Sequence, residues 1–227
     1  MSETFFKFPR TPHLISVTES RMREDRVYSD AEREEFLSSE IVVEEKIDGA
    51  NVGLSVTANG SIRAQNRGSY IEQPSPPQFR PLWSWVAKRR LILARTLGTK
   101  LILFGEWCFA VHSIRYNHLP DWFIGFDVYD LESNRFWSSE RRDLLLRSLE
   151  IHTVARIDRR RFNIDELYRL LSATRSAYGS EPIEGLYLRS EANGWLERRA
   201  KLVRPNFMQS MDEHWSSRPL QKNVVDL

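Results

Sequence analysis

Ile41-Val42-Val43-Glu44-Glu45-Lys46-Ile47-Asp48-Gly49-Ala50-Asn51 is the stretch on which the fold turns. The β-branched run reads as a strand, and Asp48-Gly49 is a turn signal that closes it. Residues 52–57 and 61–66 then read as the arms of a hairpin around Asn59-Gly60, a dipeptide that accepts the positive φ of a tight turn. A lysine at the end of an apolar strand, just before a turn, is placed to project into a cleft. Burial and neighbouring cations there are expected to lower its pKa and free the neutral amine to attack. The competing reading of the same residues is a surface lysine before a turn.

Outward from that hairpin, residues 30–38 read as a short helix, and four prolines within 73–81 require a loop. Residues 83–97 carry apolar side chains at helical spacing. Residues 101–107 and 122–130 are β-branched and aromatic runs, read as strands buried on both faces. Residues 138–149 read as a helix capped by Ser138 or Ser139, and residues 163–174 as a helix capped by Asn163. Residues 183–190 and 194–203 form a second hairpin. The segment through about Pro12 reads as irregular but packed. Strands at both ends, with helices between and outside them, give an α+β class built on antiparallel sheets.

The chain has 227 residues, enough for one large domain whose core needs no disulfide or metal staple. Its formal net charge of +2 does not announce a nucleic-acid binder. Arginine is clustered, however, at Arg89-Arg90, Arg141-Arg142, Arg159-Arg160-Arg161 and Arg198-Arg199. Each cluster reads either as a phosphate contact or as a solvated helix face. A single cysteine, Cys108, excludes an intramolecular disulfide and suits a reducing cytosol, where it reads as a small buried hydrophobe. No signal peptide and no run of ~20 apolar residues is present, so the expected location is cytoplasmic, away from the membrane. Neither G-x-G-x-x-G nor G-x-x-x-x-G-K-[ST] occurs, so handling a phosphate needs a different cradle. His13, His112 and His118 have no zinc spacing, and structural and site roles stay open for them.

Five short segments together resemble the covalent nucleotidyltransferases, the group of ATP-dependent RNA and DNA ligases and mRNA capping enzymes. Lys46-Ile47-Asp48-Gly49 is similar to their first motif, K-x-D-G. Gly105-Glu106-Trp107, Phe126-Asp127-Val128-Tyr129-Asp130, Glu184-Gly185-Leu186-Tyr187 and Arg199-Ala200-Lys201 follow in the order of the later motifs. The trailing Asn51 and the opening Phe8-Pro9-Arg10-Thr11-Pro12-His13-Leu14 look most like the phage nick-sealing type of RNA ligase.

The resemblance implies a nucleotidyltransferase domain of two antiparallel sheets with flanking helices and ATP between them. It implies an ATP-dependent RNA ligase that joins a 3′-hydroxyl to a 5′-phosphate through a lysyl-AMP intermediate. Lys46 would be the nucleophile, with Asp48 beside it and Lys201 orienting the α-phosphate. Glu45, Ile47, Asn51, Arg67, Glu106, Phe126, Glu184, Arg199 and Lys201 would contact the nucleotide. Glu184 and Glu106 would serve Mg²⁺ or Mn²⁺, hard cations that take oxygen ligands and keep waters.

Strand alternation puts Arg199 and Lys201 on one face, and Asp127 on the face opposite Phe126. Arg199 stands where the family usually has lysine, keeping the charge but changing its geometry. About 26 residues follow Lys201, so the expectation is one domain over 1–227 without an OB-fold or separate C-terminal domain. The expected partner is RNA with nicked or broken ends, with room for an RNA-binding or end-processing protein. The rival readings are a DNA ligase or another AMP-transferring enzyme of the superfamily, and a non-catalytic nucleotide- or RNA-binding regulator.

Overall fold

Strands β1 (Ile41–Lys46) and β2 (Ala50–Val56) are only three residues apart, yet they belong to different sheets. The turn after Lys46 is therefore a crossover between sheets, and it leaves the lysine at the point where they part. The computed structural model describes residues 5–15, 25–205 and 220–226. One sheet has the order β7-β1-β8-β9, with β7 (Arg156–Arg160), β8 (Gly185–Ala192) and β9 (Trp195–Val203). The other has the order β3-β2-β4-β5-β6, with β3 (Ile62–Gln65), β4 (Leu101–Trp107), β5 (Phe123–Asp130) and β6 (Arg135–Phe136). All strand pairs are antiparallel, so the α+β architecture of two sheets with flanking helices holds.

Helices cover the outer faces. α2 (Arg80–Leu97) lays Leu82, Trp85, Val86, Leu93 and Leu97 against β2, β3 and β4. Each such burial contributes about 1.5–3 kcal/mol, far more than helix propensity. α1 (Asp30–Leu37) and α4 (Ile164–Ala173) cover the other sheet, where Phe36, Leu167 and Leu171 meet Ile41, Val43, Leu186, Leu188, Ala200 and Leu202. Both helices open with a capping box, at Ser29 and at Asn163. α3 (Ser139–Ser148) is capped by Ser138 and packs on β5. It comes so close that a Cβ on Gly125 would lie 2.0 Å from Leu146. The proline-rich loop ends in a 3₁₀ turn at Pro77–Phe79 that runs directly into α2, with Pro81 in its first turn. No helix among the described residues is long and apolar enough to cross a membrane.

The sheets are joined on their inner faces by buried charge. Arg189 of β8 is fully buried and reaches Asp127 of β5 at 2.6 Å, Glu191 at 2.6 Å and the Trp137 carbonyl at 2.8 Å. Arg142 of α3, equally buried, holds Glu44 of β1 at 2.6 Å and the Phe126 carbonyl at 2.6 Å. Beside them, Phe8, Phe104, Tyr129, Phe136 and Leu196 form an apolar plug contributed by both sheets.

A β-bulge corrects the expectation for β5. Gly105 pairs with Gly125 and Phe104 with Asp127, so Phe126 is an extra residue. The bulge breaks strict alternation and turns Phe126 and Asp127 toward the same, inter-sheet side. Phe126 packs there against Phe8, and Asp127 pairs with Arg189 and Arg199.

Arg189→Met should lower the unfolding free energy by about 3–5 kcal/mol, because Asp127 and Glu191 lose a buried partner. Arg159 pairs with Glu40 and Glu140 at the surface. Arg159→Ala should cost about 1 kcal/mol or less. Denaturant titration of both variants checks the contrast.

Candidate active site

Lys46 closes β1 opposite Gly185, at the first residue of β8. A Cβ on Gly185 would lie 2.5 Å from the Leu202 carbonyl oxygen, so only glycine lets β8 and β9 begin their ladder this close to the lysine. Glu184, one residue earlier, contacts Lys46 Nζ with both carboxylate oxygens at 2.5 Å. The lysine side chain keeps 27% exposure and Glu184 only 5%, so the lysine is the accessible member of the pair.

Burial disfavours the charge on Lys46, but Glu184, with Asp48 and Glu106 nearby, outweighs it and holds the pKa above the ordinary lysine value. This corrects the expectation of a lowered pKa. Glu184 thus favours the protonated amine of Lys46.

Glu106 on β4 and Asn51 on β2 stand directly opposite each other and face the cleft. Glu106 accepts the Gly49 N–H at 3.1 Å. A Cβ on Gly49 would come within 3.0 Å of Glu106 Cγ and 2.8 Å of the Trp107 carbonyl oxygen, so the motif glycine is the space this carboxylate needs. Burial pushes Glu106 up to about 8 against the pull of Lys46 and Arg67. Burial also pushes Glu184 up to about 7. Asn51 Oδ1 is buried with no hydrogen-bond partner among the described residues. It offers an acceptor to an incoming donor.

Asp48 is fixed by three bonds. Its carboxylate accepts the N–H groups of Ser113 at 2.7 Å and Ile114 at 3.1 Å. Its own N–H donates to the Tyr116 hydroxyl at 2.8 Å. Ile47 packs with Cys108, Tyr116 and Ile124 beneath this loop.

On β9, Lys201 pairs with Asp25 at 2.5 Å. Burial lowers its pKa, and the charge of Lys46 adds to this against the hydrogen bond to Asp25. His13 lies beside Lys201 and has its pKa lowered to about 4 by burial and then by Lys201. It is neutral at ordinary pH, and its Nδ1 has no partner among the described residues.

The structure thus brings Lys46, Asp48, Asn51, Glu106, Glu184 and Lys201 to one cleft, with Arg67 exposed near Glu106 and half-buried Phe126 in edge contact with Phe8. Two residues are committed elsewhere. Glu45 points from the opposite face of β1, and its oxygens accept from the Ser176 hydroxyl at 2.6 Å and the Ala177 N–H at 2.9 Å. Arg199 shares the inner face of β9 with Lys201, but its guanidinium is held by Asp127 at 3.1 Å and Tyr187 at 3.2 Å, over the Phe136 ring.

Sequence reasoning missed Asp25 and Tyr116, because isolated polar residues in loops carry no periodic signal. The buried Arg189 left only a weak one, a charge directly after the apolar run Leu186-Tyr187-Leu188.

Glu106, Glu184 and Asp48 supply only oxygens, and burial leaves two of them reluctant to ionise. That is a donor set a hard divalent cation satisfies. No group of three or more His, Cys, Asp or Glu among the described residues is arranged to hold a metal alone. A cation here would therefore keep waters and draw on ligand oxygens.

Comparisons with known proteins bear on the family and the fold. The model of the RNA ligase family matches residues 39–203. Naegleria gruberi RNA ligase with PPi (pyrophosphate) superposes with a TM-score of 0.62 at 19% identity, covering 80% of this chain and 54% of that one. A mutant of the same ligase with ATP and Mn gives 0.60 at 16% identity, covering 80% and 54%. Another with AMP and Mn gives 0.59 at 16%, again covering 80% and 54%. At these identities the likeness establishes the fold, and the chain spans about half the length of the structures it matches. No curated protein sequence matches it.

Because its folded-state pKa is raised, Glu106 binds more protons in the folded than in the unfolded chain between about pH 4.5 and 8, so its contribution to stability falls as pH rises through that window. In EDTA, Glu106→Gln should melt about 3 °C or more above wild type at pH 8.5, with little difference at pH 4.5. Thermal unfolding at the two pH values reads this directly.

Proposed function

We propose, on the premise that the chain belongs to the RNA ligase family, that it is an ATP-dependent RNA ligase working through an AMP carried on Lys46. The observation that carries the reading is the meeting of Lys46, Glu184 and Lys201 at the seam between the sheets, two from the β8–β9 hairpin and one from β1, which pairs with β8. ATP with a divalent cation is the fitting nucleotide, and Naegleria gruberi RNA ligase, which shares the fold, is known with ATP and Mn.

In the first step Lys46 Nζ attacks the α-phosphorus. The N–P bond forms, the bond to the bridging oxygen breaks, and pyrophosphate leaves. Lys46 must shed a proton beforehand, and Glu184, in contact with Nζ and pushed up to about 7, is the group placed to take it. Lys201, on the same face of the sheet two strands from Lys46 and disfavoured as a cation by burial and by the charge of Lys46, is placed to hold the α-phosphate once it leaves Asp25. Glu184 and Glu106 would hold Mg²⁺ or Mn²⁺ through water, which would neutralise phosphate charge. AMP then passes to an RNA 5′-phosphate, and a 3′-hydroxyl displaces it.

The domain at 1–227 acts as one catalytic unit in this reading, in a reducing cytoplasm where the buried Cys108 stays a thiol. Its RNA has nicked or broken ends, and an RNA-binding or end-processing protein would supply affinity the cleft lacks. The arginine clusters support modest RNA affinity. Arg89, Arg142, Arg159, Arg160, Arg198 and Arg199 each face a carboxylate of the protein rather than standing ready for phosphates.

Incubation with ATP labelled at the α-phosphate should leave label on the denatured wild type and none on Lys46→Ala. Lys201→Ala should slow labelling by about 100-fold or more, the scale of losing one transition-state contact. Sealing of a nick with a 3′-ribose end, against the same nick with a 3′-deoxyribose end, separates RNA from DNA ligase. Absence of label from the wild type, with GTP tried and bound AMP first discharged by pyrophosphate, would overturn the reading.

A further inference from the structure

We propose that the segment at 220–226 is a positioning element of the adenylylation centre, with Asn223 as its working residue; the inference rests on the ligase reading and deepens it. β4 ends at Trp107, and the loop that follows runs to the start of β5 at Phe123. The segment lies between the two arms of this loop as an added strand. Val111 N–H donates to the Gln221 carbonyl at 2.9 Å, and Asn223 N–H to the Phe109 carbonyl at 3.1 Å. On the other arm, Val224 N–H donates to the Tyr116 carbonyl at 2.9 Å, Leu119 N–H to the Val224 carbonyl at 3.1 Å, and Asp226 N–H to the Leu119 carbonyl at 2.8 Å.

Asn223 is 3% exposed and uses both ends of its amide. Nδ2 donates to the carbonyls of Cys108 at 2.9 Å and Ala110 at 3.2 Å. Oδ1 accepts the Tyr116 N–H at 2.8 Å. One side chain therefore ties the two arms together across the loop. Its removal leaves two carbonyls and an N–H buried without partners.

The loop is also held by the Tyr178 carbonyl, which accepts the N–H groups of Asn117 and His118, and a further contact set lies on the K-x-D-G motif. Ser113 and Ile114 donate their N–H groups to the Asp48 carboxylate, and the Tyr116 hydroxyl accepts the Asp48 N–H. Tyr116 joins both halves, held by Asn223 through its backbone and holding Asp48 through its hydroxyl. Asp48 lies two residues beyond Lys46. The segment thus reaches the nucleophile through a continuous run of short bonds, without touching it. Val225 adds apolar contact to the cluster of Ile47, Cys108, Tyr116 and Leu119 from the same side.

Single-turnover formation of lysyl-AMP by the full chain tests this in wild type, Asn223→Ala, Tyr116→Phe and the double variant. Asn223→Ala should slow the step at least tenfold at saturating ATP, shift the KM for ATP less than threefold, and leave the final label per chain unchanged. The double variant should be slower than Asn223→Ala by less than the factor Tyr116→Phe causes alone, since both act through one path. A wild-type rate in Asn223→Ala would overturn the inference. So would a wild-type rate constant with reduced final label, which reads only a loss of folded protein, or effects that simply multiply. If Asn223→Ala does not fold, Asn223→Asp, which keeps the acceptor facing Tyr116 and exchanges the donor, is read by the same criteria. No label on the wild type would overturn the ligase reading and this inference together, whereas equal rates in all four chains overturn this inference alone.

Discussion

The buried ion network between the sheets sets the geometry of the site. Glu44 and Asp127 come from different sheets, and both are fully buried opposite Arg142 and Arg189. Charges this deep persist only when each finds its partner, so the two sheets have essentially one way to meet along this seam. Phe126 contributes its carbonyl to both guanidinium groups, which also fixes the bulge that turns its ring inward. Glu44 lies two residues before Lys46 on the same face of β1. The network therefore clamps the strand that carries the lysine, while the crossover after Lys46 lets the sheets diverge and opens a cleft at its tip.

Within that cleft the cations are already matched by carboxylates. Lys46 faces Glu184, and Lys201 faces Asp25. Burial pushes Glu106 and Glu184 up in pKa, so their ionised forms are disfavoured until a cation offsets the charge. A nucleotide with its divalent ion brings the complementary set, with phosphates for the lysines and a metal for the carboxylates. The same pairing is what must rearrange for Lys46 to lose its proton. In the proposed reaction, that rearrangement is what frees a lysine whose pKa lies above the ordinary value to act as the nucleophile.

Much of this was legible in the sequence because it depends on periodicity and turn chemistry. The strand ending at Lys46, both hairpins and the caps at Ser138 and Asn163 all carry local signals, and the structure forms each of them. β7 was not legible, since Arg156-Ile157-Asp158-Arg159-Arg160 has no apolar face. It is an edge strand whose side chains pair with one another and with Glu40, Glu140 and Glu166. The bulge at Phe126 escaped because alternation assumes an uninterrupted ladder. The lysine's pKa was misread for a related reason: burial was visible in the sequence pattern, but the distance to Glu184, 138 residues away, was not. Asp25, Tyr116 and Asn223 act through loop contacts far apart in sequence, which leave no pattern to read.

The most direct measurement is the location of the adenylyl group after incubation with ATP and Mg²⁺, by digestion and tandem mass spectrometry of the labelled chain. The account predicts AMP on the Lys46 side chain and on no other lysine, Lys201 included. AMP on a different residue, or an unmodified Lys46 in a chain shown to bind ATP, would contradict it.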